Sequence, residues 1–186
     1  MLFISIRKVG MKGLVIFLIK MLLFVPSAAP ANIPSELKFA GSGNVFYKGI
    51  IKVYEAELFI SDNAVSTNVL DSDVSRCLKL EYTVDLVAEK FVFAAEKILK
   101  RQHDGVTLTS IEQYLTQFHS AYQNVAAGDI YRMCFDAATQ TMSLQLNGAP
   151  LIKVQSGAFA RIYFGIWLGE KTPISNRLRK NLLKNL

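Results

Sequence analysis

An α+β domain, with one large antiparallel sheet and helices layered on one of its faces, is predicted by three features of the chain. Residues 37–60 and 78–82 alternate apolar and polar side chains with the period of two that belongs to strands buried on one side. Residues 87–102, 109–125 and 159–183 instead repeat their apolar residues at helical spacing. The order of these segments is strands, two helices, three strands, two helices, with no strict strand–helix alternation. Segregated strands and helices of this kind suit an antiparallel sheet rather than a parallel one.

The elements follow in order. Gly41, Gly43 and Gly49 punctuate the first strand region, in which Tyr54, Ala56, Leu58 and Ile60 share one face and Val53, Glu55, Glu57 and Phe59 the other. Residues 61–75 are small and polar and read as a connection. Leu78, Leu80 and Tyr82 then turn inward from a strand in which Lys79 and Glu81 face out. Asp85 is placed to cap a helix whose stripe is Val87, Phe91, Ala94, Ala95 and Ile98, ending near Gln102. Thr109 and Glu112 match a capping box, so a second helix is expected from there to Gly128, with Ile111, Tyr114, Leu115, Phe118, Tyr122 and Val125 along its apolar side. Residues 130–135 and 142–146 form a hairpin, and Asn147-Gly148 turns the chain into a strand at 151–154. Phe159, Ile162, Tyr163, Ile166 and Trp167 line one side of the next helix, which Gly169 closes. Pro173 precedes a last helix with Leu178, Leu182 and Leu183 inward.

The N-terminus reads as an export signal. Arg7, Lys8 and Lys12 precede an apolar stretch that Lys20 interrupts and Pro26 stops, short of the ~20 residues a bilayer span needs. Ala29-Pro30-Ala31 supplies a small-residue cleavage pattern, so residues 1–31 are expected to be removed, with Met11 an alternative start, and residues 32–186 to form one periplasmic or secreted domain with no lasting membrane span. That segment holds four basic residues and no acid, and its loss lowers the formal charge from +6 to +2. The basic balance therefore belongs to targeting and carries no footprint for nucleic acid. Arg177, Arg179, Lys180 and Lys184 are the remaining basic cluster, expected on a solvated helix face. Export would also let Cys77 and Cys134 bond; spacing alone leaves a disulfide and two buried thiols both open.

Familiar catalytic patterns are missing: there is no G-x-S-x-G, no phosphate-binding glycine loop, no H-E-x-x-H and no C-x-x-C. No cofactor or metal is implied. His103 and His119 have no carboxylate or cysteine at ligand spacing, and an outward sheet face accounts for Glu55 and Glu57. The seven tyrosines are more informative, because several fall on inward stripes where a phenol needs a hydrogen-bond partner.

Three stretches together resemble the exported bacterial members of the chalcone isomerase-like family. They are residues 49–58 (GIIKVYEAEL), residues 78–82 leading through Asp85 to 91–96 (FVFAAE), and residues 159–168 with Gly169, Pro173 and 178–183 (LRKNLL). The resemblance implies an open-faced β-sandwich in which sheet and helices enclose an apolar cleft. It also implies one of two activities: ring closure of a chalcone, or non-catalytic binding of a fatty acid. The family's arginine would fall on the first strand, where this chain has Gly41-Ser42-Gly43 and no arginine occurs between Arg7 and Arg76. Gln113-Tyr114 resembles the enzymes' tyrosine-bearing helix, but Ala121 stands in place of their asparagine. Without a cation for the developing oxyanion, catalysis loses its main electrostatic support. The expected function is therefore non-catalytic binding of a small apolar ligand, a fatty acid or aromatic acid, with Tyr54 and Tyr114 at its polar end and Lys52 as a carboxylate partner. Two alternatives stand beside it: an isomerase or lyase acting on an unsaturated ketone through Tyr114, and an accessory protein docking an unknown partner through Tyr163 and Trp167.

Overall fold

A computed structural model describes residue 34 and residues 36–186; the expected export segment and the choice of start at Met11 lie outside them. Six strands form one antiparallel sheet in chain order: β1 (Lys38–Tyr47), β2 (Ile51–Ile60), β3 (Arg76–Tyr82), β4 (Ile130–Asp136), β5 (Thr141–Leu146) and β6 (Ala149–Gln155). Between β3 and β4 come α1 (Ala88–Gln102), α2 (Gly105–Ser110) and α3 (Glu112–Ser120); α4 (Gly157–Leu168) and α5 (Asn176–Leu182) follow β6.

The period of two works as expected. Leu58, Leu78, Met133 and Leu144 stand opposite one another across β2 to β5, and all four are buried. Each such side chain contributes roughly 2 kcal/mol by leaving water. On the other face of the sheet Glu57, Lys79 and Arg132 are in register, and Lys79 Nζ lies 3.3 Å from Glu57 and 3.4 Å from Glu81. The inner face is closed by α4, whose residues from Tyr163 to Leu168 are all buried and which packs against α1, α5 and β5. Ser156 caps it by accepting a hydrogen bond from the Phe159 amide.

Local chemistry redirects the middle of the chain. Asp85 does not cap α1, because its carboxylate accepts from the Ala127 amide, and Asn124 takes the Ala88 amide at the helix start. The single helix expected after Thr109 is two helices. Asp104 accepts from the Thr107 amide and starts α2 early, and the chain breaks at Ile111, the residue that Thr109 and Glu112 would have had to span. Helix α3 then stops at Ser120, and Val125 pairs with Leu86 as an isolated bridge.

Helix α5 lies directly on β1. A β-carbon on Gly41 would fall 2.8 Å from the Leu182 carbonyl oxygen, and one on Gly43 would meet the Leu178 side chain at 2.9 Å. These glycines let the helix backbone approach the strand, which leaves no room for the arginine that the family resemblance puts here. Gly41→Ala should therefore cost about 2 kcal/mol through a clash with rigid backbone. A denaturant midpoint unchanged from wild type would show that α5 can yield.

Candidate functional site

Between the sheet and helices α1, α4 and α5 lies a cavity of about 760 Å³. That volume is in the range of small-molecule sites. Strands β2, β3 and β4 supply Tyr54, Tyr82 and Tyr131, α1 supplies Phe91, Ala94, Ala95 and Ile98, and α4 supplies Tyr163, Ile166 and Trp167; Tyr122 completes the aromatic wall. Tyr54 and Tyr82 are opposite each other in register with ring centroids 5.3 Å apart, and the Tyr82 and Phe91 rings meet edge to face at 5.4 Å.

Most of the phenols are committed to partners. The Tyr122 and Tyr163 hydroxyls share a 2.9 Å hydrogen bond. Tyr131 donates to the Gln123 carbonyl and accepts from its amide. Trp167 Nε1 donates to the Tyr54 hydroxyl at 2.9 Å, which leaves the Tyr54 proton without an acceptor among the described residues. The Tyr82 hydroxyl has no hydrogen-bond partner among them. Burial pushes the Tyr54, Tyr82, Tyr122 and Tyr163 phenols up from their ordinary value. All four are thus neutral at physiological pH, able to donate a hydrogen bond and unable to act as a base.

The two cations in the described wall are Lys90 of α1 and Arg177 of α5, both exposed and therefore at the rim. Neither has a carboxylate partner among the described residues, whereas Lys38, Lys52, Lys79, Lys100 and Arg179 each do. Glu55 is the acid in the same wall, and it pairs with Lys52 at 3.0 Å.

Of the three residues expected at a ligand's polar end, Tyr54 alone lines this cavity. Tyr114 lies on the separate α3, half-buried with its ring centroid 6.0 Å from that of Phe159, because the chain break at Ile111 gives α3 its own course. Lys52 is held by Glu55 outside the wall. The docking surface imagined through Tyr163 and Trp167 is not a surface: both side chains are buried and line the cavity. His119 is also part of the packing, with its ring against Tyr122 and Tyr163 and its imidazole pushed down by burial. Sequence reasoning missed Lys90, which sits off the apolar stripe of its helix, and treated Arg177 as only a solvated charge. Tyr82 was read as core, which its 4 % exposure confirms, but the open side of its hydroxyl depends on what stands opposite.

The two cysteines face each other across β3 and β4 and are joined, with an S–S distance of 2.07 Å. Among the described residues no helix is long and apolar enough to cross a membrane.

The fold is similar to that of a solved fatty-acid binding protein of Arabidopsis thaliana, with a TM-score of 0.64 over 84% of this chain and 91% of that one at 16% identity. No curated protein matches the sequence. The sequence model of chalcone isomerase-like proteins matches residues 25–184. An antiparallel six-stranded sheet, one helical layer and a cavity enclosed between them agree with that match, and the chain belongs to the chalcone isomerase-like family.

Proposed function

We propose that this chain is a non-catalytic binding protein, exported from the cytoplasm, that holds a small apolar acid in the cavity between its sheet and helices. The observation that carries this reading is the division of labour in the wall: a neutral, aromatic interior and, at the rim, two cations with no carboxylate partner among the described residues. A carboxylate buried among the tyrosines would be an uncompensated charge, whereas at the rim it meets Lys90 and Arg177 while its apolar body fills the interior. The Tyr54 and Tyr82 hydroxyls then face a neutral oxygen of the ligand, as in an aromatic acid, or water if the ligand is a plain fatty acid. The fatty-acid binding activity named for the Arabidopsis thaliana protein supports this class of ligand, and the basic, apolar N-terminal segment and the disulfide support export.

Against catalysis stands the wall itself. It offers raised phenols and a half-buried Glu55 already paired with Lys52, and its first strand carries glycines in place of an oxyanion-stabilising arginine.

The test is native mass spectrometry of the purified protein with identification of anything bound, followed by calorimetry with an apolar acid and its methyl ester. Replacing Lys90 and Arg177 together by Ala should weaken the acid about tenfold and leave the ester unchanged, as the loss of a charge-assisted contact requires. Tyr54→Phe with Tyr82→Phe should cost a comparable factor only for ligands with an interior oxygen. Equal loss for acid and ester would remove the rim from the reading. Turnover of a chalcone panel that disappears in Tyr54→Phe would replace binding with catalysis.

A further inference from the structure

The β1–β2 hairpin ends in an apolar tip that nothing in the described chain covers. Phe46, Tyr47 and Ile51 are about half exposed and Ile50 is 84% exposed, all within six residues. The turn between the strands is tight. Lys48 and Gly49 both have positive φ, 50° and 76°, and the Ile50 amide donates to the Tyr47 carbonyl at 3.2 Å. Lys48 and Gly49 are the central residues of this turn within the three-residue connection 48–50, which holds the flanking side chains at the end of the two-stranded ribbon. Exposing this much contiguous apolar surface is unfavourable in water, and it marks a contact.

The charge around the tip indicates with what. Lys48 sits at its apex, with Nζ 5.4 Å from the centre of the Tyr47 ring. Phe46, Tyr47 and Gly49 also line the cavity whose exposed cations are Lys90 and Arg177, and the wall's acid, Glu55, is already neutralised by Lys52. Aromatic and aliphatic side chains interleaved with lysine are the composition that settles at the headgroup level of a bilayer, where rings and alkyl groups enter the acyl boundary and ammonium groups meet anionic headgroups.

We propose that the β1–β2 hairpin tip, Phe46 to Ile51, inserts into the surface of an anionic lipid bilayer and sets the cavity mouth against it. A ligand drawn from the membrane would then enter without crossing water. The proposal rests on the exposed tip and not on what fills the cavity, so an empty cavity in the mass-spectrometry experiment leaves it standing, and its own failure leaves the binding reading untouched.

Co-sedimentation of the full chain with vesicles of phosphatidylglycerol and phosphatidylethanolamine, against phosphatidylcholine alone, tests it. Wild type should partition more strongly onto the anionic vesicles. Ile50→Ser with Ile51→Ser should reduce that partition at least about tenfold, since two aliphatic side chains lose their burial. Lys48→Gln should reduce it about fivefold on anionic vesicles and leave the phosphatidylcholine result unchanged. Every variant shares the N-terminal segment, so the comparison cancels any affinity of that segment for lipid. The exposed positions should leave the melting temperature at its wild-type value. Equal partition of wild type and the serine variant would overturn the proposal. So would a concentration-dependent dimer, seen by sedimentation velocity, that the serine variant breaks, because the tip would then serve a second copy of this chain.

Discussion

Removing the Cys77–Cys134 bond is expected to lower the stability of the fold by roughly 4 kcal/mol. The two residues are 57 positions apart, and closing a loop of that length in the unfolded chain removes about that much conformational freedom in the chain-entropy description. The cysteines stand directly opposite in the β3–β4 register, with the sheet continuing on either side, so the native strands remain paired when the bond is cut. The loss should therefore appear as a shift of the midpoint with the fold retained. For a domain of this size the melting temperature should drop by roughly 10 °C on adding a reductant, and by a similar amount in Cys77→Ala, Cys134→Ala. That double variant should no longer respond to the reductant. Wild type that melts at the same temperature with and without reductant, while free-thiol labelling shows the bond open, would contradict the prediction.

The second large effect is expected at Arg76, the buried charged residue among those described. Its guanidinium donates to the carbonyls of Asp71, Val74 and Leu70 at 2.9, 2.8 and 3.4 Å, and lies over the rings of Phe135 and Phe164 at 4.6 and 5.0 Å. Burial pushes its pKa down to about 10, with Asp71 opposing the shift, so it remains charged at neutral pH. No carboxylate pairs with it in the described ion pairs; loop carbonyls and two aromatic faces take that place. Arg76→Ala should cost roughly 4 kcal/mol, because it empties a core position and takes the donor from the Val74 and Leu70 carbonyls of the 61–75 connection, while the Asp71 carbonyl keeps the Val74 amide. Arg76→Lys should recover only part of this, since one ammonium cannot reproduce a planar fork held between two rings. Denaturant unfolding of the two variants measures both. A lysine variant as stable as wild type would mean that charge alone, without the fork, holds the connection.

The regular parts of this architecture follow from the chain read locally. Alternation in 51–60 and 78–82 placed Leu58, Leu78, Leu80 and Tyr82 on the inner face, and the 159–167 spacing placed α4 in the core, because burying an apolar stripe is a local pattern with a global consequence. Caps were less legible. Asp85 and Thr109 had the right chemistry, but the Ala127 amide takes the Asp85 carboxylate and Asp104 starts the next helix ahead of Thr109, and which donor reaches which acceptor depends on more than the local pattern. Arg76 shows the same limit from the other side. It follows the polar 61–75 connection directly in sequence, and only the approach of Phe135 and Phe164 makes it part of the core.

The candidate site divides along that line. Tyr54 could be found because it lies on an inward strand face, where a phenol stands out. Tyr114 looked equally good on its stripe, yet α3 carries it to Phe159 and away from the cavity, since a helix axis is set by packing and not by its own periodicity. Lys90 and Arg177 had no local signal at all: an exposed cation on a helix reads the same whether the neighbouring space is solvent or a cavity mouth. By itself, then, the sequence determined the class of fold, the core faces of its strands, the family resemblance, and one tyrosine of the cavity. The tertiary structure alone decided the pairing of the cysteines, the close approach of α5 to Gly41 and the ring of groups around the cavity. Each of these is a distance between residues remote in the chain, which local periodicity does not encode.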